Sequence, residues 1–260
     1  MKAKFFSKLG NISLRTGVVF VLVISLMAAF LGSVPVSAHV PEGAGKTAEF
    51  VLEPIRIYSQ GGDLLEYSIE DLGEMKGGVC MCLSGGFRAI QAAISALYGE
   101  DELPVQGELT VLYHHPGSGH KLVFETVLTA ECVVYEKAGN PQRMTMEHWA
   151  YTFTRTDTGE VFETQLKGGV IPDGFFDLRY EVNGYTNGWH DEKPTEEEYN
   201  GFSAAYTDAM NNMLTFPLWE LYEGIEEPEE ETPAGVIVFG FALLLSIVIG
   251  FIYSSKGKRS

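Results

Sequence analysis

Two charge-free apolar runs bracket this chain and leave a fold only the residues between them. The C-terminal run, Ala234 to Tyr253, contains no charged residue and is followed at once by Lys256, Lys258 and Arg259. At about 1.5 Å of rise per residue, such a run matches the roughly 30 Å hydrocarbon core of a bilayer. The basic tail then belongs on the cytoplasmic side. At the other end, Lys2, Lys4, Lys8 and Arg15 precede an apolar run from Val18 to Leu31 and the small-x-small exit Val36-Ser37-Ala38. Those are the three parts of a secretory signal peptide, with cleavage after Ala38. An uncleaved anchor is the alternative, because Gly17 to Val36 is nearly long enough to span. The expected organisation is a signal peptide over 1–38, an extracellular domain over 39–226, an acidic stalk over 227–233, a transmembrane helix over 234–253 and a basic tail over 254–260. The membrane, held through the C-terminal anchor, is thus the first expected partner.

Charge narrows the others. All 35 acidic residues lie between the two apolar runs, with only 11 of the 18 basic ones. An excess of that size repels nucleic acid and anionic lipid surfaces, so neither is an expected partner. The cysteines, Cys80, Cys82 and Cys132, are too few for a disulfide scaffold, and their odd number leaves a thiol to be explained as a site or as core.

Hydrophobic periodicity divides the middle part into elements. Glu49 to Tyr58 alternates and predicts a first strand, while Leu64 to Leu72 fits a short strand or a helical turn. Ser84 to Tyr98 carries Phe87, Ile90, Ala93, Ile94 and Leu97 at helical spacing and predicts a helix capped by Gly99. A buried strand is expected at Leu109–Tyr113 and a second helix over Gly119–Leu128. Strands follow at Glu131–Tyr135, Thr145–Arg155 and Val161–Leu166, the last two joined by a turn at Asp157-Thr158-Gly159. Thr195 and Glu198 form a capping-box pattern that starts a helix running to about Leu214. The order predicts an α+β domain, a mixed or antiparallel sheet with packed helices, plus the one C-terminal transmembrane helix.

The chemistry-bearing stretch is Gly77-Gly78-Val79-Cys80-Met81-Cys82, read as a glycine-rich turn ahead of a helix. Two thiols at i and i+2 near a helix N-terminus suit a soft metal or redox chemistry, though small buried cysteines follow the same pattern. His114, His115 and His120 cluster after the neighbouring strand, so Cys80 and Cys82 with His115 or His120 form a candidate set for zinc, iron or copper. Cys132 reads as core, His148 and His190 as packing or surface residues, and His39 as the first residue of the mature chain.

The same stretch resembles the FmdE domain family, named after a component of formylmethanofuran dehydrogenase, whose hallmark is His-Gly-His-x-Cys-Pro-Gly followed by apolar residues, Gly, an aromatic and Arg. Gly77, Cys80, Gly86, Phe87 and Arg88 stand at matching intervals, and His115-Pro116-Gly117-Ser118-Gly119-His120 occupies the place of the family's second polar motif. The family's two histidines fall here on Lys76 and Gly78, and its Pro-Gly on Met81-Cys82. The resemblance, which covers roughly residues 64–166, implies binding of a metal ion or a small-molecule cofactor, with Cys80 as a ligand and Arg88 holding an anionic group or a buried carboxylate. Two alternatives stay open beside it: an extracellular metal-dependent redox enzyme, and a structural surface domain with buried cysteines. Whether the domain forms a homo-oligomer is open as well.

Overall fold

The structure, a computed structural model, describes residues 51–228. The expected signal peptide, His39, the expected transmembrane helix and the basic tail lie outside them, as does most of the expected stalk. Among the described residues no helix is long and apolar enough to cross a membrane. The elements run in the order β1 (Ile55–Tyr58), β2 (Leu64–Tyr67), α1 (Ile69–Lys76), α2 (Met81–Leu97), β3 (Leu109–Tyr113), α3 (Ser118–Val127), β4 (Val133–Tyr135), β5 (Ala150–Arg155), β6 (Val161–Gln165), α4 (Phe175–Thr186), α5 (Glu196–Thr215) and α6 (Leu218–Leu221). The architecture is α+β, as the alternation of periods predicted.

β1 and β2 form a separate antiparallel hairpin; the other four strands make one sheet in the order β4-β3-β5-β6. Within it β3 runs parallel to β4 and antiparallel to β5, so the sheet is mixed. Register places Val111 opposite Phe153 and Tyr113 opposite Tyr151, and Phe153 opposite Phe162. Period-2 alternation turns Leu109, Val111 and Tyr113 of β3 and Tyr151 and Phe153 of β5 inward. The β5–β6 turn closes with Gly159 at φ +79°, a left-handed conformation that glycine adopts without a Cβ penalty.

α2 is the helix the rest is built around. Leu83, Phe87, Ala89, Ile90, Ala92 and Ala93 are all 0 % exposed, so neighbours pack on several of its sides. Small residues make that possible. A Cβ at Gly85 would sit 2.5 Å from the Trp149 ring, and one at Gly86 would sit 3.4 Å from His120. Packing of these two rings outweighs the low helix propensity of Gly85-Gly86. The helix begins at Met81, three residues earlier than the periodicity suggests, and Cys82 lies in its first turn rather than in a preceding loop.

Other departures are local. Residues 51–54 carry no regular element, and the strand begins only after Pro54. The segment 64–76 resolves into both readings at once, strand β2 and then helix α1. Thr145 caps a 3₁₀ turn over Met146–Trp149, so β5 starts at Ala150 rather than Thr145. Ala130–Cys132 is a second 3₁₀ turn, which shortens β4 to three residues. The capping box of α5 is present in both directions: Thr195 Oγ1 accepts from Glu198 N at 3.2 Å, and Glu198 Oε2 accepts from Thr195 N at 2.7 Å. After α6 the chain pairs with the outer edge of β6, where Lys167 N donates to Leu221 O and Glu223 N donates to Gln165 O. Tyr222, between them, is fully buried, and its hydroxyl donates to Gly85 O at 2.7 Å.

Candidate metal centre

Strand alternation continues for two residues past β3 and sorts the histidines. Tyr113 points in, His114 points out to Glu136 O at 2.9 Å, and His115 points in and is 3 % exposed. Pro116-Gly117 then turns the chain into α3, whose first turn carries His120, 0 % exposed. The rings of His115 and His120 stack with centroids 4.1 Å apart, and Trp149 meets both edge-on.

The first turn of α2 comes to meet them. Cys82 Sγ lies 3.9 Å from His115 Nε2, and one donor atom from each of Cys82, His115 and His120 lies within 4.8 Å of the others. This group can hold a metal ion. Glycine allows the approach: a Cβ at Gly117 would sit 2.8 Å from both Cys82 Sγ and His115 Nδ1, and one at Gly119 only 2.7 Å from Leu83 N. The spacing His-Pro-Gly-Ser-Gly-His is thus the packing surface for the cysteine turn.

The donors differ in protonation. Burial holds the His120 imidazole down near a pKa of about 3, so at neutral pH the ring is uncharged. Its Nε2 lies 2.7 Å from the Tyr151 hydroxyl, while its buried Nδ1 has no hydrogen-bond partner among the described residues. With Nε2–H donating to Tyr151, Nδ1 offers a bare lone pair, the tautomer of a ligating histidine held from behind. His115 is arranged the other way: Gly117 N–H donates to its Nδ1 at 2.9 Å, so the neutral ring carries its proton on Nε2, facing Cys82. Ligation through Nε2 requires the proton to shift to Nδ1 and the Gly117 contact to open. The Cys82 thiol is pushed up well above its usual range, first by its hydrogen bond with Cys80 and then by burial, while Arg179 and Lys76 pull it down. A bound cation reverses that balance, since a coordinating thiol is deprotonated.

Cys80 takes a different place from the trio. It is the N-cap residue of α2, 3 % exposed, and its carbonyl accepts from Ser84 N at 2.9 Å. Arg88 stands apart from the site. Its Nη2 donates to Phe216 O at 2.6 Å and its Nη1 to Gln91 Oε1 at 2.8 Å, tying α2 to the C-terminal end of α5. No disulfide joins the three cysteines. Cys132 is 7 % exposed with Sγ 3.7 Å from Gly107 O, a core position.

Cys82 and His115 form one wall of a cavity of about 400 Å³. The cavity is also lined by α4, a helix that the hydrophobic periodicity does not announce and that contributes Phe175, Arg179 and Asn183 at four-residue intervals. Tyr206 of α5 joins the walls, its hydroxyl accepting from Met81 N at 3.1 Å. No protein-family model, no curated protein and no solved structure matches this chain.

Proposed function

We propose that this chain is a metal-binding protein of the FmdE-like kind, displayed on the outer face of a membrane, in which Cys82, His115 and His120 hold one ion. The observation that carries the reading is the convergence of one thiol and two imidazoles beside a cavity of ligand size. The buried Nδ1 of His120 fits it, because an interior polar atom without a partner destabilises the fold unless a ligand completes it. The Gly117 cradle fits it too, since any side chain there would fill the gap between Cys82 and His115.

One sulfur and two nitrogens suit zinc, with copper and iron next. With three protein donors, zinc keeps a coordination position for a ligand and acts there as a Lewis acid. The chain's own residues do the rest. Tyr151 orients the His120 ring, Trp149 excludes water from behind both imidazoles, and Cys80 holds the Cys82 thiol until a cation displaces its proton. Cys80 supports the site from its cap position through its hydrogen bond with Cys82. The cavity makes a metal-dependent enzyme the second reading; it differs by predicting turnover.

The test is elemental analysis of the full chain, purified in mild detergent without chelators. About one equivalent of zinc, lost in Cys82→Ser and kept in Cys132→Ser, is the expected result. A metal-free protein that takes up no zinc, copper or iron on titration would sink the reading and leave the structural one.

A further inference from the structure

The cavity contains a cation beside the three donor residues. Arg179 projects from α4 into it, and among the described residues this guanidinium makes no ion pair, although acids outnumber bases there heavily. Arg56, Lys121 and Arg155 each have a carboxylate partner, while Arg88 and Lys167, like Arg179, bond to backbone carbonyls but do not line this cavity. Arg179 instead donates from Nη1 to the Gln142 carbonyl at 3.0 Å, and it lies 5.6 Å from the centroid of the Trp189 ring. Four residues along the same helix face, Asn183 is 6 % exposed and lines the cavity as well. The remaining surface is largely apolar: Phe175, Phe202, Met144 and Trp189. A half-buried guanidinium without a counter-ion, a neutral amide beside it and an aromatic sleeve form a recognition pattern for one class of small molecule.

We infer that the cavity binds a small organic acid, with its carboxylate on Arg179 and Asn183 and its apolar body against Phe175, Phe202 and Trp189. The planar five-donor fork of arginine matches a carboxylate in a way lysine does not. A ligand seated this way shares its cavity with Cys82 and His115. The proposal deepens the metal-site reading by naming what that site faces, and it rests on that reading only for the far end of the ligand. Net charge adds selectivity, since the acidic surface disfavours anions everywhere except where a sheltered cation is offered.

The experiment is calorimetric titration of the full chain in detergent with benzoate, phenylacetate and 3-phenylpropanoate and with their matching alcohols, with and without zinc. At least one acid is expected to bind while its alcohol does not. Arg179→Gln should weaken that acid by about thirtyfold or more, with Arg179→Lys intermediate, both read at saturating zinc so that the effect of this charge on the Cys82 thiol does not enter. Met144→Trp, which fills the cavity and leaves the guanidinium in place, should abolish binding and serves as a control if Arg179→Gln folds poorly. Normal zinc uptake with none of the three acids bound overturns this inference and leaves the metal site standing. Acid binding that survives Arg179→Gln, or that the alcohols equal, also overturns it. Acid binding by a protein that takes up no metal supports it and overturns the metal reading alone.

Discussion

At the C-terminal end of α2 Arg155 donates to the Leu97 carbonyl at 3.0 Å, to both oxygens of Glu102 and to Asp157, and stacks 4.2 Å above the Tyr98 ring. At the N-terminal end of the same helix the cap residue is Cys80, which makes no side-chain cap hydrogen bond, and the nearby polar atoms Nδ1 of His120 and Nε1 of Trp149 lack partners among the described residues. One end commits its charged groups and a helix carbonyl to holding the fold together. The other keeps donor atoms uncommitted beside a cavity. The difference separates what the helix needs in order to fold from what it presents to a ligand, and it allows either end to be disturbed with little effect on the other.

The largest effect is expected at the closed end. Tyr98 is 7 % exposed, and Tyr98→Ala should lower stability by about 3–4 kcal/mol in urea titrations with zinc content unchanged. Loss of zinc in that variant would join the two ends and break the comparison. At the open end, Cys82→Ser should weaken zinc by about a hundredfold or more, an effect of about 2.7 kcal/mol. The metal-free fold should stay within about 1 kcal/mol of wild type. A third outcome concerns acid. Burial keeps His120 neutral down to about pH 3, whereas in the unfolded chain it takes a proton near pH 6.5. The unfolded state therefore binds the extra proton between those limits. This contribution to stability is complete above about pH 6.5 and is lost as pH falls toward 3, by about 1.4 kcal/mol per unit. His120→Gln should flatten the pH dependence of the urea midpoint in that window; an unchanged slope would show that His120 is not the group responsible. The smallest effect returns to Tyr98, whose buried hydroxyl has no hydrogen-bond partner among the described residues. Tyr98→Phe should be neutral or stabilising by up to about 1 kcal/mol in the same titrations, while a clear loss would reveal a hidden partner.

The elements legible in the sequence are those with local chemistry at their ends. The Thr195–Glu198 box and the Asp157-Thr158-Gly159 turn stand where the pattern puts them, because cap and turn geometry are decided by neighbouring residues. The start of α2 is hidden because Gly77-Gly78 ahead of the two cysteines reads as a turn that runs on to Cys82, whereas the turn ends at Val79 and Cys80 already caps the helix. Of the site, Cys82, His115 and His120 are legible as a cluster, and strand alternation is the signal that removes His114 from it. Arg179 is hidden along with its helix. In α4, Phe175-Phe176-Asp177-Leu178 gives no clean stripe, and Gly184 near the end reads as a break. The spacing of Phe175, Arg179 and Asn183 is there to be seen, but a lone arginine on a weakly amphipathic segment reads as a solvated charge until the cavity beside it is known.

Tyr222 gives the fold a mechanical side. The strand-like pairing of residues 221–223 with the edge of β6 and the hydroxyl bond to Gly85 make this residue a fixed point near the end of the described chain. Its ring also meets Tyr151, whose hydroxyl holds His120. Tyr222 is thus at once a core residue and a neighbour of the binding site, so the last described turn of the chain and the donor cluster share one mechanical support.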